Sequence, residues 1–172
     1  MIMKTLLLMR HAKSSWKDSK IKDLQRPLTK RGEKNAAKMG EVLKEAGLCP
    51  QIILSSPAQR AKQTAESVAK KCEYKDPIQY YDALYMAEPE DYLKKMVKQP
   101  DTVERMLVIG HNPGLEGLMQ ILSSQVEALP TAAIATISLP IEHWAELTDK
   151  TEGKLVDIRR PKDKEVPAEF II

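Results

Sequence analysis

Two histidines of this chain follow short apolar runs, so each is expected at the end of a buried strand. Arg10 and His11 come directly after residues 5–9, and His111 follows residues 106–109 in the turn sequence Gly-His-Asn-Pro. In open α/β sheets, ligands bind at the carboxyl ends of the strands. Arginine presents a planar fork that fits phosphate, and histidine can act as nucleophile, base or acid near neutral pH. These strand ends therefore predict phosphoryl chemistry.

A further predicted strand, residues 51–54, is the second along the chain, and it precedes another cationic side chain, Arg60. After it, Ser56 is the expected cap of a helix and Pro57 is its expected first residue. This assignment places Arg60 in the first turn of the helix, close to the end of the strand.

Arg10, His11, Arg60 and His111 thus belong to three strand ends. They converge on one pocket if the strands are parallel neighbours, because such strands end at the same edge of a sheet. In particular, we expect the first and second strands to lie side by side, since only then would Arg10 and Arg60 share one phosphate.

The scaffold that positions these residues is predicted by the alternation of strand and helix patterns. It is an α/β fold, a three-layer αβα sandwich with a mostly parallel central sheet and an antiparallel edge. Strands are predicted at about residues 4–9, 51–55, 78–81 and 106–110, and an edge without helices at 134–139, 143–148 and 154–159. Helices are predicted at about residues 30–46, 57–71, 89–97 and 115–122. Thr29 is the expected cap of the first helix and Gly47 its stop.

The composition is that of a globular protein with one domain, residues 1–172. Residues 161–172 form a tail that is either mobile or docked on the body. The net charge of +3 is spread along helices that also carry Glu, and 5% of residues are aromatic. Both features argue against a nucleic-acid partner. The oligomeric state stays open.

The two cysteines, Cys49 and Cys72, are isolated in the sequence and are predicted to be reduced thiols. Neither begins the Cys-x5-Arg loop of a cysteine phosphatase. No segment approaches the length of a membrane span, and the first apolar stretch is too short for a signal peptide. We therefore predict a cytoplasmic protein with no membrane partner.

Taken together, the motifs resemble those of the histidine phosphatase superfamily, in particular its short phosphohistidine phosphatase branch. The resemblance runs from about residue 4 to residue 161. Its motifs are Arg10-His11, Ser55-Ser56-Pro57 with Arg60 and Gln63-Thr64-Ala65, Gly110-His111-Asn112-Pro113, and residues 23–29 followed by Gly32. One departure is Ala12, where the superfamily signature has glycine.

The resemblance implies that His11 is a nucleophile that forms a phosphohistidine intermediate. Arg10, Arg60 and His111 would supply positive charge and hydrogen bonds, so neither a metal nor another cofactor is expected. The histidines also lack the spacing of a metal site. The predicted function is a metal-independent phosphohydrolase acting on protein phosphohistidine.

Other site residues are predicted with alternatives. Ser14 and Asn112 are candidate phosphate ligands, although Ser14 could be a solvated loop residue and Asn112 a turn residue. The general acid that larger superfamily members use could be Glu88 or Asp18. Glu88 precedes Pro89 and could instead cap a helix, so this role stays open.

Four more polar residues are interpreted as secondary. Lys13 adds charge at the rim of the pocket. Asp23 and Arg26 are expected to form a structural ion pair behind it. His143 is expected in an edge strand, with a structural role.

The substrate class follows from the short segment between the second helix and the fourth strand, residues 74–105. This segment already holds a strand and a helix, so it leaves little chain for a lid over the pocket. An open pocket admits a phosphorylated side chain of another protein. The alternatives are a phosphatase of small phosphate esters and a phosphate-binding module without turnover.

Overall fold

Strands and helices alternate around one sheet in the computed structural model, which describes residues 3–162. The strands are β1 (Lys4–Arg10), β2 (Ile52–Ser55), β3 (Gln79–Tyr80), β4 (Arg105–Gly110), β5 (Ile134–Leu139) and β6 (Lys154–Arg159). The helices are α1 (Lys30–Glu45), α2 (Gln59–Lys71), α3 (Pro89–Met96) and α4 (Gly114–Ser123). Most of the predicted tail, residues 163–172, lies outside the described residues.

The sheet has the strand order β3-β2-β4-β1-β5-β6. Its first four strands are parallel, β5 is antiparallel to β1, and β6 is antiparallel to β5. The mostly parallel sheet with an antiparallel edge is thereby confirmed. The predicted pairing of the first two strands is wrong, because β4 lies between β1 and β2. The apolar residues of β4 are buried on both faces, which suits a central strand.

Side chains of β1 alternate between the two faces of the sheet. Leu6 and Leu8 pack into the core beneath α3 and α4, whereas Leu7 and Met9 pack into the core beneath α1 and α2. All four are completely buried. Two apolar layers, each covered by helices, confirm the three-layer sandwich and hold the end of β1 rigidly.

The start of α1 is packed against the loop that follows β1. Thr29 caps the helix, since its hydroxyl accepts the N–H of Gly32 at 3.0 Å. A Cβ on Gly32 would lie 2.1 Å from the carbonyl oxygen of Lys13. Only glycine permits this close approach, which fixes the loop next to the strand end.

Two predicted elements differ from the structure. α2 begins at Gln59 rather than at Pro57, because Ser56 turns the chain first and its hydroxyl accepts the N–H of Ala58 at 3.2 Å. Residues 143–148 contain a 3-10 turn, Trp144–Glu146, instead of a strand.

The turn at Trp144 is held by partners from a distant loop. Its backbone N–H donates to Asp101 at 3.0 Å, and its indole N–H donates to Val103 at 2.8 Å. His143 is exposed and pairs with the same Asp101 carboxylate at 2.9 Å. His143 therefore lies on a turn far from the strand ends that carry His11 and His111, and its predicted edge strand is wrong.

The two cysteines form a disulfide between Cys49 and Cys72, with their Cα atoms 5.5 Å apart. The prediction of two reduced thiols is wrong. α2 runs back across the sheet after β2, so its last turn returns to the edge where β2 begins, and the two cysteines meet there. Their separation of 23 residues gives no sign of this. A disulfide is unusual in a reducing compartment, so the cysteines do not support the predicted cytoplasmic location. That location stays a prediction.

Within residues 3–162, no helix combines the length and the apolar character that crossing a membrane requires.

Candidate active site

Most of the predicted site residues meet in one pocket of about 520 Å³ at the carboxyl edge of the sheet. β1 ends with Arg10 opposite Gly110 of β4, and β2 ends with Ser55 opposite Ile109. Because β1, β2 and β4 end side by side at the same edge of the sheet, the residues that follow them converge on this pocket. Six predicted residues line the pocket: Arg10, His11, Ser14, Arg60, His111 and Asn112. In the following, this space is called the catalytic pocket.

His11 is held in a form suited to nucleophilic attack. Its Nδ1 lies 2.8 Å from the carbonyl oxygen of Ala12. A carbonyl only accepts hydrogen bonds, so Nδ1 carries the ring proton and the lone pair of Nε2 is available. Burial above all, together with the charges of Arg60 and Arg10, lowers the pKa of His11 to about 4. The imidazole is therefore neutral near pH 7.

His111 faces His11 across the catalytic pocket, with ring centroids 5.2 Å apart. Its Nε2 lies 2.7 Å from the hydroxyl of Ser56, and that hydroxyl already accepts the N–H of Ala58. This arrangement favours donation from Ser56 to Nε2, which leaves the ring proton on Nδ1. The Nδ1 atom is buried without a protein partner. His111 can thus donate a hydrogen bond to an anion in the pocket.

Burial also determines the charge of His111. It lowers the pKa of His111 to about 3, with further contributions from His11 and the charge of Arg60. The ring is consequently neutral near pH 7, and it acts as a hydrogen-bond donor rather than as a cation.

Arg60 is fixed by an ion pair that bridges two distant segments. Its side chain is only 3% exposed. One terminal nitrogen donates to the backbone carbonyl of Asp23 at 2.8 Å, and the other donates to the Asp23 carboxylate at 3.1 Å. The guanidinium is thereby oriented within the pocket wall before any ligand binds.

Asp23 also binds Arg26 at 3.0 Å and accepts a hydrogen bond from the hydroxyl of Tyr85. These contacts, the one from Tyr85 foremost, and the charge of Arg60 lower the pKa of Asp23 to about 2. The predicted pair of Asp23 and Arg26 exists, but both residues line the catalytic pocket instead of lying behind it. Asp23 is therefore an ionised positioning residue for two arginines.

The loop after β1 forms one wall of the catalytic pocket. Arg26 is buried and donates to the hydroxyl of Ser14 at 2.8 Å. On its other side, the guanidinium of Arg26 stacks on the ring of Trp16 at 3.4 Å. Ser14 thus has a structural partner, and Trp16 remains 76% exposed at the rim.

The Asn112 side chain is held by hydrogen bonds to other residues of the protein. Its amide nitrogen donates to Glu116 at 2.8 Å and to the carbonyl of Leu129 at 2.9 Å. Arg10 reaches the same carbonyl at 3.5 Å, while its Nε is buried without a partner. Of these two residues, Arg10 retains unused donor capacity for a phosphate, whereas Asn112 braces the turn that carries His111.

Neither candidate for the general acid lines the catalytic pocket. Glu88 is exposed at the start of α3, where its N–H donates to Asp91 at 2.9 Å in a capping box. The Asp18 carboxylate accepts the N–H of Lys20 at 2.9 Å in an exposed loop. Among the described residues, Asp23 is the one carboxylate that lines the pocket, and it is ionised.

Several pocket residues were not predicted as such. Tyr85, Met86 and Thr131 line the pocket, yet they carry no sequence signal that would single them out. The spacing of Asp23 and Arg26, three residues apart, was the signal available for the ion pair, but it could not show which way the pair faces.

The catalytic pocket is strongly electropositive. Of the residues that the structure describes, Arg10, Lys13, Arg26 and Arg60 line it together with one carboxylate, that of Asp23. A phosphoryl group in transfer spreads negative charge over three equatorial oxygens, which such a set of donors stabilises. Within residues 3–162, no group of three or more His, Cys, Asp or Glu side chains is arranged to hold a metal ion.

The low pKa of His11 predicts activity that persists into acid. The free-enzyme profile of kcat/KM should fall with an apparent pKa near 4 instead of the ordinary 6.5, because the nucleophile must be neutral. The same shift affects stability. The unfolded chain binds the His11 proton more tightly, so this contribution to stability is complete above about pH 6.5 and is lost toward pH 4.

The measurement is kcat/KM from pH 4 to pH 8, corrected for the ionisation of the substrate. Circular dichroism at each pH separates loss of fold from loss of activity. An acidic limb near pH 6.5 in folded protein would contradict a neutral His11 produced by burial.

Known proteins resemble this chain in sequence and in fold. Residues 6–85 match the model of the histidine phosphatase superfamily, branch 1. An uncharacterized chloroplastic protein of Arabidopsis thaliana is 32% identical over 154 residues, which cover 84% of this chain and 71% of that protein.

Two solved structures share the fold. The Agrobacterium tumefaciens protein assigned as the phosphohistidine phosphatase SixA has a TM-score of 0.79 at 25% identity, covering 92% of this chain and 98% of that chain. The protein histidine phosphatase SixA complexed with tungstate has a TM-score of 0.75 at 24% identity, covering 91% and 97%. The chain therefore belongs to the histidine phosphatase superfamily, in its short SixA-like branch, and is a phosphatase.

Proposed function

We propose that this phosphatase removes the phosphoryl group from phosphohistidine on a partner protein, without a metal, through a phosphohistidine intermediate on His11. The observation that carries this proposal is the state of Asp23. The one carboxylate lining the described pocket is ionised and bound to Arg26 and Arg60, so it cannot protonate a leaving group.

A phosphohistidine substrate needs no such acid. Its imidazole leaves as a neutral ring when the other ring nitrogen carries a proton, and the conjugate acid of imidazole has a pKa of about 6.5. An alcohol leaving group is much more basic, close to water at about 16. Because none of the described residues brings a protonated carboxyl into the pocket, a P–N bond is favoured over a P–O bond.

The transfer step is nearly symmetrical. The lone pair of His11 Nε2 attacks phosphorus, and the bond between phosphorus and the substrate ring breaks. The proton on His11 Nδ1 remains hydrogen-bonded to Ala12 throughout. Water then attacks the phosphoryl group on His11, yielding inorganic phosphate and the free imidazole.

The side chains supply the charge that a metal would otherwise provide. Arg10 presents its guanidinium at the end of β1, Arg60 presents its own from the first turn of α2, and His111 offers an unpaired Nδ1. Directed donors of this kind stabilise the equatorial oxygens during transfer. EDTA should therefore leave the rate unchanged.

The rim of the pocket supports a polypeptide substrate. Two large apolar side chains line this pocket and are exposed, Trp16 at 76% and Met86 at 57%. Large apolar side chains clustered at a polar pocket are typical of surfaces that bind proteins. A small phosphate ester would leave these side chains unused.

The test compares kcat/KM for a phosphohistidine protein with a panel of phosphate monoesters, in the presence of EDTA. We expect the phosphohistidine protein to be preferred by at least about 100-fold, which is roughly 2.7 kcal/mol. Trp16→Ala should raise KM for the protein, whereas the matched variant Val156→Ala, on an exposed residue of β6, should not.

Each other outcome would contradict part of the proposal. Preference for an ester would favour a small-molecule phosphatase. Activity lost in EDTA and restored by a divalent ion would refute metal independence. Tight phosphate binding without turnover of any substrate would indicate a binding module.

A further inference from the structure

A second cavity of about 300 Å³ adjoins the catalytic pocket. We call it the basic cavity. Six polar or charged residues that line it are Lys13, Arg31, Asn35, Thr131, Arg160 and Lys162. Lys13 and Thr131 line both spaces, whereas Trp16 and Met86 line the catalytic pocket only. The two spaces therefore adjoin at Lys13 and Thr131.

Four separate segments build the basic cavity. Lys13 comes from the loop after β1, and Thr131 from the segment before β5. Arg31 and Asn35 lie one turn apart on α1 and share a face of that helix. The close contact of α1 with the carbonyl of Lys13 holds these groups together.

The residues after β6 complete the wall. Arg160 donates to the carbonyl of Ile158 at 3.4 Å, and the carbonyl of Pro161 accepts a hydrogen bond from Lys38 of α1. The contact with Lys38 holds the segment after β6 against α1, and Arg160 and Lys162 line the same cavity as Arg31. The α1 helix and the segment after β6, which are distant in sequence, thus both bring cationic side chains to the basic cavity.

The described walls of the basic cavity carry cationic side chains, and Lys13, Arg31 and Lys162 are three of them. Of its described lining residues, four are cationic and none is a carboxylate. Glu33, the acidic residue in the first turn of α1, faces another hollow, beside Gln63 and Lys70. The amino terminus of α1 adds further positive potential. Such a cavity attracts an anion, and it lies next to the phosphoryl site.

We propose that the basic cavity is a second anion subsite, which binds a carboxylate side chain of the same polypeptide that presents the phosphohistidine. This inference rests on the proposed function. A polypeptide bound over His11 also covers the rim of the catalytic pocket. An Asp or Glu side chain of that polypeptide, close to its phosphohistidine, can then enter the basic cavity beside Lys13, which lines both spaces. Asn35 and Thr131 supply neutral hydrogen-bonding groups that orient the carboxylate. Substrate choice then depends on acidic residues near the phosphorylated histidine.

The test uses two phosphohistidine peptides that differ only in their flanking residues, acidic in one and the matching amides in the other. For wild type, we expect a KM about fivefold lower for the acidic peptide. Arg31→Glu should abolish this preference. Lys98→Glu makes the same charge change on an exposed residue that lines neither space, so it should retain the preference.

The outcomes separate this inference from the proposed function. Turnover of both peptides with equal KM overturns the subsite and leaves the function standing. Turnover of neither peptide refutes the function; calorimetry with the unphosphorylated acidic peptide then decides the subsite, which is overturned if Arg31→Glu leaves Kd unchanged. If a second phosphate group on a phosphate ester lowered its KM more than the acidic residues lower the KM of the peptide, the assignment of the cavity to a carboxylate would be overturned.

Discussion

Replacing His11 with alanine is expected to abolish turnover while the fold stays intact. In the proposed mechanism His11 Nε2 is the nucleophile, and the facing His111 cannot replace it because its own Nε2 is hydrogen-bonded to Ser56. We expect kcat to fall by at least about 10⁴-fold, as for the loss of other enzymatic nucleophiles. The fold should survive because His11 follows the last residue of β1, and its one ring hydrogen bond is to the neighbouring Ala12.

The measurement combines single-turnover kinetics with trapping of an acid-labile phosphoryl-enzyme, which wild type should form and His11→Ala should not. His143→Ala is the matched control, since His143 lies outside the pocket and is exposed. Activity of His11→Ala within tenfold of wild type would remove His11 from the nucleophile role. A changed melting profile would show that the variant reports on folding instead.

Replacing Arg60 with alanine is expected to slow catalysis and to weaken inhibition by vanadate or tungstate. In the proposed mechanism Arg60 stabilises charge on the transferred phosphoryl group, and these oxyanions imitate phosphate and its pentavalent transition state. We expect kcat/KM to fall by about 10²–10³-fold, as for the loss of one transition-state donor. The loss also leaves the carboxylate of Asp23 without one of its two arginines, which adds negative potential to the pocket.

The companion variant Arg60→Lys should recover only part of this loss. Arg60 uses two nitrogens to hold Asp23, and an ammonium cannot reproduce that planar fork. The measurement is the competitive inhibition constant of tungstate for wild type and both variants. If Arg60→Ala bound tungstate as tightly as wild type, Arg60 would lie outside the functional site.

The position of each key histidine was predictable because it depends on neighbours in sequence. Apolar runs that end in a polar pair define β1 and β4, and burial on both faces of the sheet explains why the runs are continuous. Thr29 capped α1 as expected, since capping involves residues three positions apart. Local periodicity and local hydrogen bonds therefore determined the elements and the residues at their ends.

The way those elements meet was only partly predictable. Parallel strands and their shared edge followed from the alternation of strands and helices. The order of the strands did not, and β4 separates β1 from β2. Neighbouring strands are about 4.8 Å apart, so Arg10 and Arg60 share the pocket across β4 by virtue of their long side chains.

Contacts between segments distant in sequence were decided by the tertiary structure alone. Arg60 and Asp23 are 37 residues apart, and Tyr85 and Asp23 are 62 residues apart. The disulfide depends in the same way on the path of α2, which brings Cys72 back to Cys49. None of these pairs has a local periodicity or a spacing that would reveal it.

The sequence by itself thus determined which groups are available at and just after the strand ends, namely a histidine whose chemistry suits a nucleophile and its cationic partners. The tertiary structure decided how that chemistry is tuned. It buries His11 and His111 so that both are neutral, and it ionises Asp23 between two arginines. Burial and the distances between charges arise only when the chain has folded, because both depend on residues that packing, rather than chain order, makes neighbours.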